Sequence, residues 1–165
     1  MTLTTHAVVG SALGAMLAHN PALAAGAGFA SHFIMDFIPH WDYPLLSMER
    51  DGNPLHDTMN TRSWKFAIDL IKIGCDFLLG FLLVGLFFYA APSLIVGAFV
   101  GAAAAVTPDA LQFLYMKFFQ REPLLSLQKF HISIENEQLK KRPLIGVASQ
   151  TAIILIMYLL TRLII

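Results

Sequence analysis

The chain has 165 residues, 56% of them hydrophobic and only 13% charged, with a mean hydropathy of +0.63. A soluble domain carries about a quarter charged residues, so this balance excludes an ordinary water-soluble globule and points to an integral membrane protein. The formal net charge is zero, with no basic tail and no interleaving of basic and aromatic residues. Nucleic acid is therefore not an expected partner, and the lipid bilayer is.

The residues before His6 lack the positive segment of a signal peptide and are read as part of the mature fold. A first apolar helix, rich in Gly and Ala, is expected over residues 5–18 and is short for a span, which ideally takes about 20 residues. His19-Asn20 makes a turn, and Pro21 is well placed to open a second helix that runs to about Ile38 and stops at Pro39. A third helix is expected over residues 64–90, long enough to span with tilt. Ala91-Pro92 connects it to a fourth over residues 93–119, in which Pro108 kinks or breaks the helix and residues 109–119 continue as an interfacial segment. The fifth and cleanest span covers residues 143–165. The fold class implied is all-α, a single polytopic membrane bundle of about five transmembrane or interfacial helices. The one cysteine, Cys75, lies in the third apolar segment and reads as a buried structural thiol; it allows neither an intrachain disulfide nor a thiolate-metal framework.

Two connections are long and polar, residues 40–63 and 120–142, and they hold Arg50, Arg62, Arg121, Lys129, Lys140, Lys141 and Arg142. The two short connections hold no Lys or Arg. By the positive-inside rule the long connections and the N-terminus are expected on the cytoplasmic side of a bacterial inner membrane. Residues 28–39 and 97–108 also echo one another, each a small-residue helix running from Gly to Pro with a polar residue after it (His40 and Asp109). Each copy reads as a packing helix that delivers a ligand at its cytoplasmic end.

With this topology His6, His32, Asp36, His40, Asp42, Asp69, Asp109 and His131 gather near one face. Ionisable groups at membrane depth are expensive, so their clustering marks a functional site. His32 and Asp36, at i and i+4, lie one turn apart on one helix face, the spacing a metal needs from two ligands on one helix. The expected ligands are His6, His32, Asp36, His40, Asp109 and His131, with Asp42 and Asp69 as catalytic carboxylates. Imidazole and carboxylate without thiolate suit Zn, Mn or Fe, as one or two ions. Such a site points to metal-assisted hydrolysis. His19 reads as structural and His56 as solvated. On the third helix Asp69, Lys72 and Asp76 share a face; they are either a structural bridge or, with Asp36, a proton relay.

The Thr5-His6 start of the Gly/Ala-rich first helix, the helix running into Pro39 with Asp and His around it, and the Pro108-Asp109 pair give the sequence a resemblance. It resembles the bacterial membrane-bound metal-dependent hydrolase family, small inner-membrane proteins, over about the first 45 residues and residues 97–112. The resemblance implies a metal centre of His6, His32, Asp36, His40, Asp42 and Asp109. The chain has Pro39-His40-Trp41-Asp42-Tyr43 where the family tends to show Pro-Asp-x-Asp-His, and His56 stands alone where the family has a His-Arg-Gly type segment. A hydrolase acting on a phosphoester or lipid-linked substrate is the leading expectation. The alternatives are a small proton-coupled transporter using Asp36, Asp69, Lys72 and Asp76, or a catalytically silent membrane scaffold.

Overall fold

Prolines and a side-chain cap set the starts of the helices. The Asn20 side chain accepts a bond from the Leu23 amide, and Pro21 follows it in the first turn, where its missing N–H is not needed. Pro92 and Pro143 occupy the same position in two further helices. The computed structural model describes residues 1–135, 139 and 141–164. Within them the chain is all-α: α1 Leu3–Met16, α2 Pro21–Phe37, α3 Trp64–Phe88, α4 Pro92–Lys117, α5 Leu124–Ile134 and α6 Pro143–Ile164. The connection after α2 adds a minimal antiparallel ribbon, β1 Met48–Glu49 and β2 Thr58–Met59, with Met48 opposite Met59.

α1 is the hub. It packs on α2, α3, α4 and α6, and most of its side chains are buried. In a bilayer the hydrophobic effect does not draw helices together, so close backbone approach must supply the contact. The glycines supply it: a methyl group on Gly101 of α4 would fall on the Gly10 carbonyl oxygen, and one on Gly28 of α2 would fall on the Gly101 carbonyl oxygen. The two echoing segments are thus both packing helices that meet at Gly101.

α3, α4 and α6 are long and apolar enough to cross a membrane, and their exposed Leu side chains (Leu78, Leu82, Leu155, Leu159) suit a lipid environment. α1 is a shorter apolar helix, and α2 has 17 residues. Of the about five transmembrane or interfacial helices expected, three are of spanning length and α1 and α2 are shorter, with α5 as a sixth helix.

Four other expectations are corrected. Pro108 lies inside a continuous α4 and does not break it. One lost donor is tolerable in a packed membrane helix. The polar connection after α4 contains a further helix, α5, whose one buried face carries Gln128 and His131. α1 begins at Leu3, before Thr5, and ends at Met16, short of Ala18. Cys75 is exposed on the outside of α3 and is not a core thiol, because the outward face of a membrane helix is as apolar as its inward face. Lys140 and Ile165 lie outside the described residues.

The helices differ in depth. Leu3 and Thr4 donate their amides to Asp76 at 2.7 and 3.0 Å, so the start of α1 lies level with the fourth turn of α3. At 1.5 Å per residue, that is about 18 Å from the beginning of α3. The first turns of α3 therefore extend past the start of α1, and at this end the 40–57 connection, α4 and α5 line a cleft.

Candidate metal centre

Three helices and one loop bring the imidazoles to Asp36. α1 supplies His6 in its first turn, α2 supplies His32 and Asp36, α5 supplies His131, and the chain just after α2 supplies His40. All five side chains are buried, with Asp36 only 2% exposed. Oδ2 of Asp36 lies 2.9 Å from His131 Nε2 and 3.1 Å from His32 Nε2. Oδ1 lies 3.2 Å from His6 Nε2 and 3.8 Å from His40 Nε2. The α-amino group of Met1 is also on this edge, 3.0 Å from Oδ1 and 3.8 Å from Asp42 Oδ2. Burial works against its charge, but Asp42, Asp36 and Asp109 outweigh burial and hold its pKa above the ordinary value.

The tautomers follow from the partners. His32 Nδ1 lies 2.8 Å from the Ala105 carbonyl of α4, and His40 Nδ1 lies 2.9 Å from the Ile38 carbonyl. A carbonyl oxygen only accepts, so in both rings Nδ1 carries the proton and donates it. The neutral ring then presents the lone pair of Nε2 inward. Burial, together with the nearby α-amino group, holds the His40 imidazole below its ordinary pKa, in the neutral form that ligates. His32 Nε2 lies 3.3 Å from His131 Nε2 as well as facing the Asp36 carboxylate. With Nδ1 protonated, His32 Nε2 can accept from His131 Nε2–H, carry a proton toward Asp36, or bind a metal. An imidazole whose second nitrogen is fixed by a backbone carbonyl is the usual support of a metal-bound histidine.

The spacing fits a metal. Around a tetrahedral ion with bonds of about 2.0–2.1 Å, neighbouring ligand atoms lie about 3.3 Å apart. Two groups have ligand atoms all within 4.8 Å of one another: His32, Asp36 and His131, and His6, His32 and Asp109. Asp109 Oδ1 is 3.6 Å from His32 Nε2, carried on the turn of α4 just past Pro108. His6 is fully buried and stacks on His32 with ring centroids 4.0 Å apart. Neither of its ring nitrogens has a hydrogen-bond partner, although Nε2 is close to Asp36. Each buried polar atom left in this way costs about 1–3 kcal/mol, and a cation bound at one nitrogen would offset that nitrogen's share.

The other sequence candidates fall elsewhere. Asp42 stands at the rim, 47% exposed, beside His40. Asp69 holds the loop: it accepts from the Ser47 amide and hydroxyl at 2.8 Å each, and Lys72 Nζ lies 2.9 Å from its other oxygen. That is the structural bridge, and Asp69 is not in either ligand group. Asp76 takes the cap of α1 and a bond from the Tyr43 hydroxyl at 3.2 Å, with no link to Lys72 among the described residues. His19 is exposed in its turn, and His56 is solvated and pairs with Asp51 at 3.1 Å.

Sequence reasoning missed Gln150, which accepts from the Thr2 amide at 3.0 Å and donates to the Trp41 carbonyl at 2.7 Å, tying α6 to both segments that flank the site. A lone polar residue inside the last apolar helix was the available signal.

A cleft of about 850 Å³ opens beside the centre. His40, Asp42, Trp41, Met48, Arg50 and Gln128 contribute to its walls, which mix polar and apolar side chains. In comparisons with family models, with curated proteins and with solved structures, the chain matches none of them.

Proposed function

We propose that this chain is a membrane-embedded, metal-dependent hydrolase that acts on a phosphoester or lipid-linked substrate, in keeping with the family its sequence resembles. The observation that carries the reading is the meeting of His32 Nε2, His131 Nε2 and Asp36 Oδ2 at mutual separations of 2.9–3.3 Å, with the far nitrogen of His32 fixed by a carbonyl. The donor set suits Zn, Mn or Fe. Such an ion supplies Lewis-acid polarisation of an ester or phosphoester and a hydrolytic nucleophile near neutral pH.

The side chains divide the remaining work. His32 and His131 hold the ion and Asp36 balances its charge. Asp42, open to the cleft next to His40, is placed to take a proton from water. Arg50 makes no ion pair among the described residues; its Nε donates to Met48 Sδ, and the rest of the guanidinium is available for a substrate anion. A cleft that mixes polar and apolar lining, at the end of a membrane bundle, suits an amphiphile. The positive-inside rule sets this end, and the N-terminus with it, on the cytoplasmic side of a bacterial inner membrane. The relay alternative has lost support, since Lys72 is engaged by Asp69 and Asp76 by the start of α1.

Elemental analysis of the detergent-purified protein tests the reading, alongside a His32→Ala, Asp36→Ala double variant. The expected result is at least one equivalent of transition metal in the parent and none in the variant. A parent that stays metal-free after incubation with Zn or Mn sinks the proposal.

A further inference from the structure

The cleft beside the metal centre holds side chains that the hydrolytic step does not use. Gln112 of α4 stands three residues past Asp109, and Gln128 of α5 stands three residues before His131. Each therefore lies one helical turn from a residue of the centre, on the same helix face. Both line the cleft. Gln128 is only 4% exposed, yet its carboxamide makes no hydrogen bond among the described residues. Buried polar groups are almost always partnered, so an amide left open toward a cleft calls for a ligand there. An amide is donor and acceptor at once, and a ligand that satisfies it brings both.

The chain between β1 and β2 adds one charge of each sign. Glu49 pairs with Thr58, so Arg50 and Asp57 are the first residues beyond the paired ends of the two strands. Opposite charges so placed can pair across a ribbon. Here they do not: Arg50 turns its Nε to Met48 Sδ, the Asp57 carboxylate has no partner among the described residues, and both side chains line the cleft. Opposite charges held apart in one cleft fit a ligand that carries both signs.

We propose that the cleft binds a phosphate ester bearing a primary ammonium, the headgroup of an aminophospholipid, with Arg50 on the phosphate, Asp57 on the ammonium and the carboxamides of Gln112 and Gln128 completing the hydrogen bonds. This rests on the hydrolase reading and names its substrate class, although the binding itself requires no metal. The ammonium supplies three N–H donors and the phosphate supplies acceptors, so one ligand serves both ends of an amide. Its contacts with Arg50 and Asp57 are charge-assisted. A quaternary ammonium has no N–H to give, and a headgroup without nitrogen leaves Asp57 unmatched. Leu45, Met48 and Met116 give the acyl chains apolar surface in the same cleft.

The chain holds two tryptophans, Trp41 in the cleft and Trp64, which is 71% exposed. In a Trp64→Phe background, Trp41 fluorescence reports occupancy of the cleft in the detergent-solubilised full chain. Glycerophosphoethanolamine is titrated against glycerophosphocholine and glycerophosphoglycerol, and metal is counted on the same sample. The ethanolamine ester is expected to bind at least about tenfold tighter than the other two, a preference that Asp57→Asn removes. Gln128→Leu should weaken its binding about tenfold with the thermal midpoint held, because an apolar side chain leaves no amide unpaired. A glutamine with a structural role would instead lose stability and keep the affinity, which overturns its part in the site. Tighter binding of dihexanoyl phosphatidylethanolamine than of the soluble ester marks a lipid as the source; equal binding overturns the lipid and leaves a free aminophosphate ester. No preference among the three headgroups, or no binding of any, overturns the proposal whatever the metal content. A protein that shows the preference but takes up no metal upholds the headgroup site and overturns the hydrolase reading.

Discussion

Asp36 is a carboxylate in the wrong solvent unless its charge is matched. Four imidazoles and an ammonium surround it, and water barely reaches it. Asp36→Asn keeps the shape and removes the charge. Chelator competition should show metal affinity reduced by at least about 100-fold, and stability should fall by about 3–5 kcal/mol as the surrounding cations lose their counter-ion. An unchanged affinity would show that the imidazoles alone hold the ion. Arg50 stands for the opposite case, a charge with an open partner position. Arg50→Gln should leave the metal count untouched and raise KM for an anionic substrate about tenfold at constant kcat, the signature of lost uniform binding. A fall in kcat with KM unchanged would instead put Arg50 in the reaction step itself. The His32–Asp36 pair was readable because both residues lie on one helix, where spacing alone sets direction. Asp69 was misjudged because its partner Ser47 belongs to an irregular loop, whose path no periodicity announces.

Among the elements, the crossing of α1 and α4 at Gly10 and Gly101 fixes how far His6 and Asp109 stand from His32. A side chain at Gly101 must push the helices apart. Gly101→Leu should destabilise the bundle by more than about 2 kcal/mol in a detergent-unfolding titration, with loss of bound metal. Unfolding at the parent's midpoint with metal retained would deny the crossing this role. Asp76 is a milder case, a carboxylate that satisfies two amides at the start of α1, where the helix dipole also favours negative charge. Asp76→Asn is expected to lower stability by about 1–2 kcal/mol and to leave at least one metal ion in place. The Gly/Ala pattern made α1, α2 and α4 legible as packing helices. It could not reveal that Pro108 sits inside a continuous helix, since the bundle compensates for a single missing donor. α5 was hidden for a different reason: it is short, and its polar residues blend with those of the connection around it.

For the molecule as a whole, the helices that flank α1 outgrow it. At the end where α1 begins lies a cleft lined by the 40–57 connection, α4 and α5. Composition alone identified the membrane, but not the cleft, because helix length says nothing about relative depth. Orientation is open to direct measurement. With Cys75 replaced by Ser, His56→Cys should react with an impermeant maleimide only when the cytoplasmic side is accessible. Labelling from the opposite side would reverse the topology. The native Cys75 should react with a membrane-permeant maleimide and resist the impermeant one, as befits a thiol facing lipid.

The order of the ligands along the chain has a consequence for biosynthesis. His6, His32, Asp36 and His40 emerge within the first 40 residues, while Asp109 comes much later and His131 belongs to a helix made after all but the last span. During insertion Asp36 therefore has Met1, His6, His32 and His40 at hand, and only His131 is still to be made. The set of groups around the carboxylate is complete once α5 has been synthesised. A nascent chain interrupted before α5 lacks one of the two imidazoles at Oδ2, so the site is assembled in the order of synthesis and finished last from the surface segment.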